Sequence, residues 1–330
     1  MMIRSLVAML VLLIGLGTPA PAAAYLKFGV RVGGRTVDVK WNRTIPFFVT
    51  DRDGPGVTAS QLRDAVVRAF NTWKAVPTAA VQAEFQALTT APPGLQDGRT
   101  TFGFLDRPDL DRVLGATSFL LDGTTGEIIE ADVFFNTRFN WSTAAAGEPG
   151  RIDLESVALH EIGHLLGLGH SALGETEMIP GGRRVIASGA VMFPIAMMPG
   201  ATADRQLQAD DVAGISDLYP GPQFTQASSS ISGRVLKNGS GVLGAHVAAF
   251  NLETGALVGG FALNAQGDFV IAGLTPGSYL LRAEPLDDAD TGSFFSGPID
   301  VDFRVAYAPR VITAPAGGGS DPVDIAVRQK

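Results

Sequence analysis

Three of the four histidines in this chain lie within the segment ALHEIGHLLGLGHSALG, residues 158–174. His160 and His164 are four positions apart, so a helix would place both on one face, one turn apart. His170 can approach the same point from another direction if Gly167, which readily takes positive φ, ends the helix. Three neutral imidazoles leave the fourth position of a tetrahedral zinc ion open to water, as in catalytic zinc sites. The spacing therefore predicts a zinc site formed by His160, His164 and His170.

Glu161 follows the first of these histidines, and its carboxylate would lie beside the metal rather than on it. Zinc lowers the pKa of a water that it binds and polarises a scissile carbonyl. Glu161 would take the proton from that water during its attack and pass it to the leaving amine. The chain has no cysteine and no GxSxG elbow, which excludes a cysteine nucleophile and that type of serine nucleophile. The pattern predicts peptide-bond hydrolysis without a covalent intermediate.

Incidental histidines on a helix are the alternative interpretation, because a bare HExxH segment also arises by chance. The correctly placed Gly167 and the third histidine argue against chance. His246 is the one histidine outside this segment. It is predicted to be a solvent-facing or hydrogen-bonded residue of a strand.

A helix is needed to present the first two histidines, and its signals are present. Asp153 is a good N-cap, and apolar residues follow it at helical spacing. An earlier helix begins with the capping-box pair Thr58 and Gln61, and a last one covers residues 208–219. Residues 171–206 are rich in Gly, Pro and Met and are predicted to be loop. Segments with β-branched and aromatic residues predict strands at 27–41, 43–51, 99–105, 113–121 and 126–136.

The bulk composition narrows the class of protein. The net charge is −8 and Lys and Arg are not clustered, which argues against a partner such as nucleic acid. No apolar run beyond the N-terminal segment is long enough to span a bilayer. Because thiolates are absent, any metal must be bound by His, Asp or Glu.

The N-terminus has the pattern of an export signal. Arg4 gives a small positive region, residues 6–17 form a short apolar run, and residues 22–24 form an Ala-Ala-Ala cleavage site. The pattern predicts a signal peptide at 1–24, a mature chain from Tyr25, and a secreted, extracellular or periplasmic protein with no stable membrane span. An uncleaved membrane anchor is the alternative, but the apolar run is short for a span.

The composition changes near residue 220. Residues 221–229, GPQFTQASS, predict a linker. Residues 230–330 then contain short strands at regular spacing and an Asn-Gly turn at 238–239, which predict an all-β sandwich without an evident catalytic constellation. The predicted organisation is a signal peptide, a first domain at 25–220, this linker and the sandwich.

The segment HEIGHLLGLGHS resembles the zinc signature of the metzincin metallopeptidases, and Ser171 points to their matrixin branch. DLESVALHEIGHLLGLGHS is similar to the plant and bacterial matrixins. Residues 56–76 and 207–219 resemble the first and last helices of that family, the latter with the pair Asp210 and Asp211. The resemblance covers the first domain and implies an α+β metzincin fold: a twisted, mostly parallel sheet with an antiparallel edge strand, plus three helices. The chain is expected to act as a monomer on protein or peptide substrates.

The family also carries a methionine turn beneath the zinc, as a hydrophobic floor and not a ligand. Met178, in EMIP, has the shorter distance from the third histidine that many matrixins show. Met192, in AVMFP, has the better local context and the better distance to the last helix. We choose Met192, which makes residues 175–188 an insertion. Ordinary core filling is the alternative for either methionine.

The resemblance implies two regions that contact the substrate. Residues 113–119 correspond to the upper edge strand, which pairs with an extended peptide by adding a strand to the sheet. An ordinary edge strand is the alternative. The loop after Met192, including Pro194 and Ile195, is expected to set substrate preference.

Two departures from the family matter. Its animal members maintain latency through a propeptide cysteine on the zinc, and this chain has no cysteine. Many matrixins bind a second, structural zinc through upstream histidines, but Thr117 and Glu130 stand where such histidines are expected. That structural zinc should therefore be absent. Calcium, bound through Asp132 or nearby carboxylates, is kept as an alternative.

The C-terminal domain resembles the carboxypeptidase regulatory-like, transthyretin-like sandwiches between residues 231 and 285. This resemblance implies an accessory module for folding, spacing or surface binding. The resulting hypothesis is a secreted zinc endopeptidase. One rival is a surface-binding or adhesion protein with an inactive metallopeptidase domain, which would not need Glu161. A second rival is a processing peptidase confined to one target in a bacterial envelope.

Overall fold

The computed structural model describes residues 26–179, 182–286, 294–295 and 297–330. The predicted signal peptide and Tyr25 lie outside these residues. Within the described part, none of the helices combines the length and the apolar character needed to cross a membrane.

A five-stranded sheet forms the centre of the first domain, after a hairpin of β1 (Gly29–Val32) and β2 (Arg35–Asp38). Its strands are β3 (Ile45–Thr50), β4 (Ala83–Thr89), β5 (Thr100–Leu105), β6 (Gly115–Leu121) and β7 (Ile128–Asn136). Their order is β4-β3-β5-β7-β6. β6 lies at one edge and runs antiparallel to β7, whereas the other neighbouring strands are parallel. The predicted mostly parallel sheet with an antiparallel edge strand is confirmed.

Three helices accompany this sheet in the described part of the first domain, as predicted. They are α1 (Ala59–Lys74), α2 (Leu154–Leu165) and α3 (Ala209–Leu218). The Thr58–Gln61 capping box is present at the start of α1, and the apolar stripe of α1 is buried. The Trp73 indole on this stripe donates a hydrogen bond to the carbonyl of Leu159 at 2.9 Å. This bond ties α1 to the helix that carries the histidines.

Two regions of the first domain differ from the sequence-based expectation. The pattern predicts no strand at β4, because AEFQALT contains Glu and two Ala residues, which are uncommon in strands, and does not alternate polar and apolar residues throughout. A short parallel pair of strands, β8 (Trp141–Ser142) and β9 (Ile152–Asp153), precedes α2. Further along the chain, residues 171–206 are not all loop. β10 (Gly174–Ile179) and β11 (Gly182–Ser188) form an antiparallel hairpin there, so the loop prediction is wrong at these residues. Charged residues such as Glu177 and Arg184 obscure the apolar pattern of these strands.

Two β-sheets form the C-terminal part of the chain, after the short helix α4 (Phe224–Ala227). One contains β12 (Ser229–Lys237), β13 (Ser240–Gly241), β16 (Asp268–Leu274) and β20 (Val323–Val327). The other contains β14 (His246–Asn251), β15 (Leu257–Phe261), β17 (Gly277–Glu284), β18 (Ala306–Tyr307) and β19 (Ile312–Ala314). Asn238 and Gly239 both have positive φ in the turn between β12 and β13, as the Asn-Gly pair predicts. The strands give the sandwich that the pattern predicts.

The junction between the two parts is folded. α4 and the first residue of β12 lie within the predicted linker at 221–229. The Gly221 N–H donates to the carbonyl of Thr78 at 2.8 Å, and the Ser229 hydroxyl donates to the carbonyl of Gly318 at 2.9 Å. The junction is thus hydrogen-bonded to the first domain at one end and to the sandwich at the other.

The sandwich and the first domain share one continuous cluster of buried apolar residues. α3 contacts both β15 and β16. Gly273 of β16 has a φ of +70°, and a Cβ on it would lie 2.6 Å from the carbonyl oxygen of Ala213 in α3. Only a glycine allows the two backbones to approach this closely. The sandwich therefore packs directly on the last helix of the first domain.

Buried carboxylates of β7 anchor the loop between β4 and β5. Asp132 accepts hydrogen bonds from the backbone N–H of Thr101 at 2.7 Å and of Gly94 at 2.5 Å. Glu130 accepts one from Gly98 at 2.5 Å. Burial is the main cause that raises the pKa of Asp132, to about 7. Both oxygens of Asp132 thus have protein partners, and the calcium alternative stays a prediction.

The raised pKa of Asp132 predicts a pH-dependent contribution to stability. Between about pH 4 and pH 7 the folded state holds a proton on Asp132 that the unfolded state releases, so stability falls as the pH rises through this window. Relative to Asp132→Asn, the wild type should lose up to about 4 kcal/mol of unfolding free energy across it. Urea denaturation of the metal-free chains at a series of pH values measures this difference. The exposed Asp321→Asn serves as control, and a pH-independent difference for Asp132→Asn would contradict the prediction.

Candidate metal centre

Local sequence sets both ends of α2. The Asp153 carboxylate accepts hydrogen bonds from the backbone N–H of Ser156 at 2.9 Å and from its hydroxyl at 2.7 Å, which confirms the predicted N-cap. At the other end Gly167 has a φ of +103°, as predicted. A Cβ on Gly167 would lie 2.1 Å from the carbonyl oxygen of Val39, so a side chain cannot be accommodated there. The chain therefore turns sharply after the second histidine.

This turn brings the three predicted ligands together. One ligand atom from each of His160, His164 and His170 lies within 4.8 Å of the others. The Nε2 atoms of His164 and His170 are 3.2 Å apart. Among the described residues, this is the one group of three or more metal-ligating side chains close enough to hold an ion.

Backbone carbonyls fix the orientation of two of the rings. Nδ1 of His160 lies 2.7 Å from the carbonyl oxygen of Val191, and Nδ1 of His164 lies 2.9 Å from that of Leu168. A carbonyl only accepts, so both Nδ1 atoms carry the proton and the lone pair is left on Nε2. This is the arrangement by which metal-ligating histidines are usually held.

Two of the histidines are also in the protonation state that a metal requires. Burial, together with the neighbouring His170, lowers the pKa of His160 to about 4. Burial likewise lowers the pKa of His164 well below its usual value. These two rings are therefore neutral at pH 7, and a cation can bind to them without displacing protons. A donor set of three imidazoles fits zinc.

Glu161 is buried between α2 and the edge strand β6. Its Oε2 accepts a hydrogen bond from the Thr117 hydroxyl at 2.8 Å. A Cβ on Gly115 of the same strand would lie 3.2 Å from Oε1, so the strand backbone passes close to the carboxyl group. Burial raises the pKa of Glu161 to about 7. A carboxyl group with a pKa near the working pH is suited to exchange protons with a substrate.

Thr117 has a role that the sequence did not reveal. The sequence marks it only as a position without the expected histidine, yet its hydroxyl is the side-chain donor to Glu161. Phe28 was missed as well, although its ring stacks on His164 with centroids 5.6 Å apart and an interplanar angle of 19°. No sequence motif marks either residue. The two contacts join residues far apart in the chain.

Replacing Thr117 with Val tests its role. The variant keeps the shape of the side chain and removes the hydrogen bond that orients Glu161. A hydrogen bond to a charged group contributes roughly 1.5–3 kcal/mol, so kcat should fall about tenfold or more while KM and zinc content stay unchanged. Steady-state kinetics with metal analysis measures this. Ser118→Ala, on the same strand, is the matched control, and equal kinetics for both variants would refute the role of Thr117.

Met192, the preferred candidate for the methionine turn, lies against α2. Met192 is buried, and its Sδ lies 2.2 Å from the place that a Cβ on Gly163 of α2 would take. The Asp211 carboxylate accepts hydrogen bonds from the backbone N–H of Val191 at 2.8 Å and of Met192 at 3.1 Å. The turn thus packs under α2 between the first two histidines. The backbone of Met178 lies instead in β10, within the insertion.

Four features define the metzincin class of metallopeptidases. They are a mostly parallel sheet with an antiparallel edge strand, a helix with two histidines, a glycine turn that leads to a third histidine, and a methionine turn beneath the three. The matrixin family model matches residues 40–220, which is more than half of the chain, and the chain therefore belongs to the matrixin family.

Curated relatives agree with this family. The chain is 31% identical to metalloendoproteinase 1-MMP of Arabidopsis thaliana over 204 residues, 61% of this chain and 50% of the relative. It is 27% identical to metalloendoproteinase 4-MMP of the same plant over 195 residues, 56% of this chain and 50% of the relative. It is 26% identical to karilysin of Tannerella forsythia over 204 residues, 58% of this chain and 36% of the relative. The chain spans about half the length of the Arabidopsis relatives that it matches.

Proposed function

We propose that the chain is a zinc-dependent endopeptidase that hydrolyses peptide bonds in protein substrates. The observation that carries this proposal is the group of three histidines, two of them oriented by backbone carbonyls, with the buried Glu161 beside it. His160, His164 and His170 would hold zinc, and Met192 would form the apolar floor beneath it. A zinc ion bound there supplies a Lewis acid that activates water and the scissile carbonyl.

The residues of the chain perform the remaining tasks. Glu161 takes a proton from the attacking water and delivers it to the leaving amine, and Thr117 orients the carboxyl group for both transfers. β6 is the edge of the sheet next to Glu161, so an extended peptide can pair with it as an added strand. The loop after Met192, with Pro194 and Ile195, would contribute to the choice of substrate side chain.

The remaining parts of the proposal concern location and assembly. The N-terminal pattern at 1–24 supports export, to the periplasm or the outside of the cell. The exported chain is expected to act as a monomer. A calcium ion near Asp132 is the other metal to test, because that side chain is a buried carboxylate.

Removal and return of the metal tests the proposed function. The chain from Tyr25 onward should bind zinc at one equivalent and cleave unfolded casein. Phenanthroline should abolish cleavage, and added zinc should restore it, because the histidines must hold a metal for water to be activated. EGTA, which prefers calcium, should leave cleavage intact if only zinc is needed. Bound zinc without cleavage of casein or mixed peptides would instead favour a binding protein with an inactive domain.

A further inference from the structure

Two neighbouring aspartates in the first turn of α3 contact different parts of the molecule. Asp211 accepts hydrogen bonds from the backbone N–H groups of Val191 and Met192, as described above. Asp210 accepts a hydrogen bond from the backbone N–H of Gly259 in β15 at 2.7 Å. Asp210 also accepts a hydrogen bond from the hydroxyl of Ser171, the residue after the third histidine. One buried carboxylate therefore joins the sandwich to the loop that carries His170.

The backbone of β15 lies very close to the Asp210 carboxylate because position 259 is a glycine. A Cβ on Gly259 would lie 2.7 Å from Nε2 of His246 and 3.2 Å from Cγ of Leu173. His246 is buried in β14 and its Nδ1 lies 2.9 Å from Oε1 of Glu284, which agrees with the hydrogen-bonded alternative of the prediction and not with the solvent-facing one. Burial raises the pKa of Asp210, whereas Ser171, Gly259 and His246 act in the opposite direction by stabilising the carboxylate. The contact is thus polar, buried and without room for a side chain at position 259.

Aromatic residues of the sandwich contact the same loop from another side. The ring of Phe294 lies edge-on to His170, with centroids 6.2 Å apart. Phe261 and Phe295 form a small buried cluster with Leu26, against which Ala172 packs. The carbonyl of Leu26 in turn accepts a hydrogen bond from the N–H of Gly169 at 2.6 Å.

His170 depends on these contacts more than the other two histidines do. His160 and His164 are fixed by α2, whereas His170 lies beyond the end of the helix in a segment without regular structure. Its neighbour Ser171 makes three hydrogen bonds: its N–H donates to the carbonyl of Met192 at 2.8 Å, its hydroxyl donates to Asp210, and its hydroxyl oxygen accepts from the N–H of Leu173 at 3.2 Å. Loss of a contact that orients a metal ligand typically lowers metal affinity by about 10- to 100-fold.

We propose that the C-terminal sandwich is a structural part of the metal centre: through Gly259, Asp210 and Phe294 it holds the loop of the third histidine in its ligating position. These are positioning residues and not catalytic ones. This role rests on the proposed zinc site and replaces the expectation that the sandwich is only accessory.

A glycine substitution in the full chain tests the polar contact. Gly259→Ala places a methyl group against His246 and Leu173 and pushes β15 away from Asp210. Zinc affinity, measured by competition with a chelator, should fall at least tenfold, and the absorption spectrum of the cobalt-substituted chain should change because the third ligand is displaced. The matched control is Gly239→Ala, a positive-φ glycine in a sandwich turn with no atom within 4 Å of its Cβ position. It strains the sandwich without touching α3, and its zinc affinity should stay within twofold of the wild type.

A second variant covers the case in which Gly259→Ala does not fold. Phe294→Ala removes a half-buried ring from His170 without placing any atom in the interface, and it should lower zinc affinity severalfold. A folded Gly259→Ala with wild-type zinc affinity would overturn the inference. So would an equal loss of affinity in Gly239→Ala. If Gly259→Ala is unfolded, wild-type affinity in Phe294→Ala would overturn it.

A measurement on the metal-free chain separates this inference from the proposed function. Amide hydrogen exchange at Ser171, Leu173 and Met192 should be faster in Gly259→Ala than in the wild type and Gly239→Ala, because the loop loses its anchor. Neither this measurement nor zinc affinity requires catalysis. A wild-type chain that binds zinc and cleaves no substrate would contradict the proposed endopeptidase activity. The role of the sandwich could still be measured through zinc affinity and hydrogen exchange. Unchanged exchange in Gly259→Ala would contradict that role while leaving cleavage by the wild type untouched.

Discussion

Glu161→Gln should give a folded, zinc-loaded chain that cleaves peptides about 10²- to 10⁴-fold more slowly than the wild type. Glutamine keeps the shape and can still accept the hydrogen bond from Thr117, but it cannot take a proton from the attacking water. The loss should appear in kcat, with KM little changed, because the substrate contacts are intact. Steady-state kinetics on a fluorogenic peptide, with zinc measured in the same samples, gives both quantities.

Glu155→Gln is the matched control, since it neutralises another buried carboxylate of α2. Glu155 pairs with Arg68 at 2.7 Å, at the opposite end of the helix from the metal centre. Its loss should reduce stability and leave kcat close to the wild-type value. Retention of more than about a tenth of kcat in zinc-loaded Glu161→Gln would show that another group acts as the base.

His164→Ala should lower zinc affinity by about 10²- to 10³-fold. The binding free energy of structural zinc is roughly 10–16 kcal/mol for four ligands, so one ligand accounts for about 3–4 kcal/mol. Chelator competition measures the dissociation constant directly. Zinc should also raise the unfolding temperature of the wild type and raise that of the variant much less, because stabilisation by a ligand follows its affinity.

The metal-free forms provide the control for this second prediction. Denaturant unfolding of metal-free wild type and metal-free His164→Ala shows whether the variant is folded before zinc is added. A folded variant that binds zinc as tightly as the wild type would mean that His164 is not a ligand. The proposed site would then be wrong, whatever the cleavage activity.

The active-site helix could be predicted from sequence because its signals are local. The Asp153 carboxylate accepts a hydrogen bond from a residue three positions away. Position 167 requires glycine because its φ is positive and because a Cβ there would collide with the carbonyl oxygen of Val39. The two helical histidines follow from a four-residue spacing. The choice of Met192 needed the family resemblance, because a buried methionine by itself is equally well explained by core filling.

The remaining contacts could not be predicted because they join residues distant in sequence. Thr117 and Glu161 are 44 positions apart, and Asp210 and Gly259 are 49 apart. Composition predicts a linker at residues 221–229, because Gly, Pro, Ser and Gln are typical of linkers, and this pattern shows no preference for a helix such as α4. The packing of the sandwich on α3 overrides this local pattern.

The folded junction between the two parts has a consequence for the lifetime of the protein. An endopeptidase is surrounded by copies of itself, and an extended chain between domains is the usual place where such an enzyme is nicked. Here that stretch is coiled into α4, and hydrogen bonds tie it to Thr78 on one side and Gly318 on the other. We therefore expect the packing that brings the sandwich to the proposed metal centre to make this junction a poorer site of proteolysis than an extended linker would be.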